Sequence, residues 1–171
     1  VLNNDTLIVG QDYTPLSFSS NGKTVGSLVF AGYGFNIDEE KLKWNDYENI
    51  DIKNKWALII RNGPNRNAEH SKYSNHISLH KKMLVARDMG AAGVAFVSQV
   101  EDQGLFPFNY IPGYNNTGIP AIHLSNKIAD KILKKSDWSR KKVQEKMNQS
   151  LKPINFEIKE IPLETNIKIK H

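Results

Sequence analysis

The run Trp56-Ala57-Leu58-Ile59-Ile60-Arg61 constrains this chain more than any other segment. An unbroken apolar stretch offers no polar face to water, so a strand here must be covered on both sides, as the inner strands of parallel sheets are. Downstream, Ile77, Leu79, Met83, Leu84 and Ala86 mark an amphipathic helix over Ile77 to Met89 that stops at Gly90. Ala91-Ala92-Gly93 then feeds a second apolar run, Val94 to Ser98. Together these make a βαβ unit, whose strands pair in parallel through a right-handed crossover.

The flanks read as strands and short helices. Alternation and turn residues predict short strands at Leu7 to Val9 and Leu16 to Phe18, a stronger one at Val25 to Tyr33, and another at Ala121 to Leu124. Asn36 to Tyr47 is polar and reads as a loop with a helical turn. Ser125 and Asn126 can cap a helix through Leu133, and a second helix starts at Ser136 or Asp137 and is closed by Pro153. Ile154, Phe156 and Ile158, then Leu163, Thr165, Ile167 and Ile169, alternate with polar residues and predict two closing strands, antiparallel across Glu160 to Pro162. Asn62 to Ser74 and Glu101 to Gly118 are long loops. The fold class is α/β, a mixed sheet with a βαβ core and flanking helices.

At 171 residues the chain suits one domain, and the absence of cysteine excludes a disulfide scaffold or a thiol nucleophile. No apolar run reaches the roughly 18 residues of a membrane-spanning helix. The opening Val1-Leu2-Asn3-Asn4 lacks the basic start and apolar core of a signal peptide, as expected of an excised or processed piece. The net charge of +5 is concentrated between Lys127 and Lys152. Such a stripe could meet nucleic acid or an anionic surface, but only Trp138 interrupts it with an aromatic, so solvated helix faces explain it better.

Candidate chemistry is sparse. His76 and His80 stand four apart with His70 nearby, the raw material of a metal-dependent hydrolase, yet Ile77 occupies the position where a catalytic zinc helix carries Glu. Glu39 and Glu40 are adjacent carboxylates on a surface turn, and His123 sits in a short apolar strand as a core or edge histidine. No nucleophile elbow, Walker loop or complete G-x-G-x-x-G occurs. Residue types alone point to a non-catalytic module.

Several ordered motifs resemble a known family. Leu28-Val29-Phe30-Ala31-Gly32-Tyr33-Gly34-Phe35, Trp44-Asn45-Asp46-Tyr47, the stretch from Ile50 to Arg61, Lys82-x3-Ala86-x3-Gly90-Ala91-Ala92-Gly93-Val94 and Gly118 to Ser125 look like the protease-associated (PA) domain inserted in M28-family zinc aminopeptidases. Asp12 to Ser19 resembles the way into that insert. The resemblance implies a swivelling β/β/α fold in which residues 1–171 form a single PA domain, with a core over about 25–135 and opening and closing strands at 1–24 and 152–171. It implies no catalytic or metal-binding residue and no cofactor in this chain, with zinc held by the parent catalytic domain. None of the five histidines has the Asp two residues on that the family's first zinc ligand has, and Glu39-Glu40 falls outside the catalytic domain.

The resemblance further implies a lid or side wall beside a peptidase cleft, touching peptide or partner protein. Phe106, Phe108, Tyr110 and Tyr114 are the candidate contacts. The partners expected are the catalytic domain in cis and a peptide or protein substrate, with neither nucleic acid nor a membrane-spanning segment. An exported parent is expected, in an extracellular, periplasmic or cell-surface setting.

Overall fold

The computed structural model describes residues 1–68, 70–109 and 118–169. Its strands are β1 (Tyr13–Pro15), β2 (Gly22–Ala31), β3 (Asn36–Glu39), β4 (Leu42–Asn45), β5 (Trp56–Ile60), β6 (Gly93–Val97), β7 (Ala121–Leu124) and β8 (Asn155–Ile167). The helices are α1 (Leu79–Asp88), α2 (Asn126–Lys134) and α3 (Arg140–Ser150), with a 3₁₀ turn at Ser74–His76. A six-stranded sheet runs β1-β7-β6-β5-β2-β8, and β3 pairs with β4 beside it. Strands β2, β5, β6 and β7 are parallel neighbours, and β1 and β8 add antiparallel edges. The βαβ unit is β5-α1-β6.

Strand alternation divides the core between the two faces. Leu28, Phe30, Trp56, Leu58, Ile60, Ala95 and Val97 pack with α2 and α3 through Ile128, Ile132, Leu133, Val143 and Met147. Val29, Ala57, Ile59, Val94 and Phe96 pack with α1 through Met83 and Ala86. Each large side chain so buried contributes about 1.5–3 kcal/mol. That two-sided burial is why β5 and β6 carry no polar residue. Ser78, Ser125 and Ser139 cap the three helices by accepting from the backbone N–H three residues on.

Four expectations change. Asn36–Glu39 and Leu42–Asn45 form a hairpin where a loop was predicted, because Ile37, Leu42 and Trp44 point inward from an otherwise polar stretch. The short strand near the start is Tyr13–Pro15, while Leu7 to Val9 contributes one bridge, Val9 to Tyr13, and Leu16 to Phe18 lies outside the strands. The helices begin later, at their serine caps, so α1 starts at Leu79 and α3 at Arg140. The two closing strands are one strand, β8, laid along β2. Between the pairs Gly26–Leu163 and Leu28–Ile158, five steps on β8 oppose two on β2, and Glu160 takes φ +63°. The predicted turn is therefore a bulge.

Residues 1–3 lie on the outer side of β8. Val1 N donates to Glu164 O at 2.7 Å, Glu164 N donates to Val1 O at 2.8 Å, and Leu2 bridges Leu163. Leu2 is fully buried there.

Candidate functional site at the carboxyl ends of the parallel strands

Ligands of open α/β sheets gather outside the carboxyl ends of the strands, and here that end is built on two buried charged side chains, Asp46 and Lys82. The turn after β2 passes through Gly32 (φ +50°) and Gly34 (φ +71°). Asp46, following β4, reaches into it and accepts from Tyr33 N at 3.1 Å and Phe35 N at 2.9 Å through Oδ2. The fit is close: a Cβ on Gly32 would stand 2.1 Å from Asp46 Oδ1. From α1, Lys82 donates to Ile60 O at 3.0 Å and to Asn62 O, tying off the end of β5. Its ammonium also lies 4.8 Å from the centre of the Phe35 ring. Burial pushes the Asp46 carboxyl up to about 7 and the Lys82 ammonium down to about 7, with the attraction between the two opposing both shifts.

Beyond this pair, the loops after β5 and β6 meet in a polar network. Gln99, buried, donates to Gly63 O at 3.1 Å and accepts from Arg66 Nη1 at 3.1 Å. Arg66 Nη1 also donates to Asp102 at 2.7 Å, while the Arg61 guanidinium lies 3.9 Å from the same carboxylate and 3.7 Å above the centre of the Phe106 ring. Arg140, buried, grips Asp130 with two arms and donates to Ser98 O and Gln99 O at 3.2 and 3.3 Å. Gln144 accepts from Val100 N at 2.9 Å. These bonds fix two loops that sequence alone leaves free.

Ser98 and His123 form a pair that invites a catalytic reading, with Oγ and Nε2 2.9 Å apart. The tautomer argues against it. Phe106 N donates to His123 Nδ1 at 3.1 Å, which places the ring proton on Nε2, so Nε2 donates to the serine and cannot take its proton. Both side chains are fully buried. Burial and the nearby Arg61 charge push the imidazole down to about 4, partly opposed by Asp102. The histidine thus anchors the loop that carries Phe106, whose ring packs on it at 4.5 Å.

The residues singled out from the sequence fall in different places. Phe106 is half-buried between His123 and Arg61, whereas Phe108 is exposed, lining a groove of about 460 Å³ with Val9, Tyr13, Pro15 and the segment 166–169. Tyr110 and Tyr114 lie outside the described residues. His76 pairs with Glu39 at 2.9 Å, His80 meets the Phe18 ring edge-on, and His70 sits in a turn at φ +59°. Among the described residues no group of three His, Cys, Asp or Glu side chains is placed to hold a metal ion. The basic segment is divided: Arg140 turns inward, Lys131 pairs with Asp5, and Lys142 and Lys146 lie over Trp138. Asp46, Lys82 and Gln99 were missed as site residues. The available signal was Lys82 standing one helical turn before Ala86, on the face that α1 buries.

A layered α/β domain with this sheet order and a glycine-rich turn locked by a buried aspartate defines its class by architecture. The chain belongs to the PA domain family, whose profile matches residues 23–132. The structure is similar to that of an aminopeptidase from Aneurinibacillus sp. strain AM-1, with a TM-score of 0.50 and 17% identity over 91% of this chain and 30% of that one. It is also similar to a zinc aminopeptidase from Bacillus subtilis, with a TM-score of 0.43 and 22% identity over 67% of this chain and 23% of that one. The chain therefore spans less than a third of either structure. No curated protein matches it in sequence.

Proposed function

We propose that this chain is the PA domain of a zinc-dependent aminopeptidase of the M28 type, set beside the catalytic domain as a non-catalytic wall of the substrate cleft. The PA family match over residues 23–132 carries this reading. Residues 1–3 pair with the strand segment around Glu164, which covers the outer edge of β8 there. Next to that edge stand the exposed side chains of Val9 and Phe108 on their groove, an apolar face suited to packing against a neighbouring domain. The fold shared with part of the Aneurinibacillus enzyme supports the same placement. Zinc would belong to the catalytic domain, and the parent would work outside the cytoplasm.

The test uses the full-length protein. Val9→Asp with Phe108→Asp is expected to lower kcat/KM toward peptides about tenfold, about 1.4 kcal/mol of lost positioning, because two carboxylates cannot be buried unpaired at a domain contact. In the isolated chain the same exposed sites should change stability by no more than about 0.5 kcal/mol. Unchanged peptide kinetics would sink the docking role. A flanking reading frame without a His-x-Asp motif and zinc ligands would remove the M28 assignment.

A further inference from the structure

The polar network at the carboxyl ends encloses a pocket of about 360 Å³, bounded by the loop after β5, the loop after β6 and the inner face of α3. That size lies toward the lower end of small-molecule sites. Among the described residues its charged lining is one cation, Arg66, and one carboxylate, Glu101, and most of the rest is amide: Asn65, Asn67, Gln99, Gln144 and Asn148. Two of these amides are buried and fixed, Gln99 by Gly63 O and Arg66, Gln144 by Val100 N and Glu101. Asn148 accepts from the Tyr33 hydroxyl at 2.6 Å, which turns its Nδ2 donor away from that bond.

Much of the hydrogen-bonding capacity is unspent. Arg66 uses only Nη1, on Asp102 and Gln99, so its Nε and Nη2 donors have no partner among the described residues. Among the described residues Glu101 receives only the Gln144 amide, and each carboxylate oxygen can accept more than one donor. The side chains of Asn65 and Asn67 carry no hydrogen bond among the described residues. A pocket that offers one anion receptor, one cation receptor and amides between them matches a small molecule with a carboxylate, an ammonium and peptide groups.

We propose that this pocket binds short peptides with free ends, the carboxylate on Arg66 and the ammonium on Glu101, while the asparagine and glutamine amides pair with the peptide unit. Nothing in this assignment depends on what the catalytic partner of the domain is. Within an aminopeptidase, such a site would let small peptides act on the domain away from the bond being cut.

Titration of the isolated chain with dialanine, followed by amide chemical shifts, tests it. Dialanine should bind at millimolar concentration and shift the amides of Arg66, Gln99 and Glu101. Blocking either end, as N-acetyl-dialanine or dialanine amide, should weaken binding about fivefold, the scale of a partly exposed charge pair. Glu101→Gln should abolish the preference for the free amine alone, and Arg66→Gln the preference for the free acid alone. Since Arg66 also braces the loop, Arg66→Lys serves as the control and should keep part of the preference for the acid. Equal binding of the blocked peptides, or no shift at this pocket at millimolar dialanine, overturns the proposal. Neither result would bear on the peptidase reading, which rests on the family match and on the separate groove of Val9 and Phe108.

Discussion

Asp46→Ala is expected to destabilise the domain by about 2–5 kcal/mol, the cost of removing a buried acceptor from two backbone donors. The carboxylate accepts two backbone N–H groups of the Tyr33-Gly34-Phe35 turn, and alanine leaves both buried donors without an acceptor. Each such orphan costs about 1–3 kcal/mol. The fully buried Lys82 ammonium also loses the longer-range attraction of the carboxylate. Asp46→Asn keeps one oxygen in place and should cost less than half as much. Urea unfolding with the denaturant slope held equal checks both variants. An alanine variant within about 1 kcal/mol of the parent chain would show that the turn is held by packing alone.

The cost of His123→Asn should shrink by up to about 3 kcal/mol as the pH falls from 6.5 to 4. In the folded chain the imidazole is pushed from 6.5 down to about 4, so between these values the unfolded chain binds the proton and the folded chain does not. The stability this group contributes is complete above pH 6.5 and is lost on acidification toward pH 4. Asp46 works in the opposite sense. Its carboxyl is raised from 3.8 to about 7, so the folded chain binds the proton first and stability falls as the pH rises through that window. The two slopes oppose each other in the parent chain. The variant, having lost the histidine slope, should become less stable as the pH rises from 4 to 6.5. Parallel pH profiles for the two proteins would show that His123 titrates like a solvated imidazole. Lys82, lowered from 10.5 to about 7, acts above this window.

The parts of the fold that show in the sequence are those governed by local pattern. The apolar run of β5, the glycine-ended helix and the second run of β6 specify the βαβ unit by themselves, because burial on two faces leaves no other reading. The hairpin Asn36–Asn45 was hidden because only Ile37, Leu42 and Trp44 report its inward face. A turn of strained backbone at Glu160 and a bulge there look alike in a sequence, and only the partner strand distinguishes them. The site is harder still. Asp46, Lys82 and Gln99 lie on separate elements, and a buried charge is decided by what tertiary packing brings to it. Phe106 and Phe108 show the same limit, two residues apart, one pinned under Arg61 and the other open to solvent.

The bulge in β8 divides its ladder with β2 into unequal cooperative units. Leu28 to Phe30 of β2 are flanked by β5 on one side and β8 on the other, whereas Gly22 to Gly26 pair only with β8. Opening the outer ribbon therefore disrupts no parallel strand. Amide exchange should resolve two tiers: slow protection near the global limit for Leu28 to Phe30, and faster exchange for Lys23 to Val25 through a local opening that releases the distal half of β8. Because Val1 and Leu2 are bonded to that same distal half, the two flanks of the domain would loosen together while the polar rim beyond β5 and β6 stays in place.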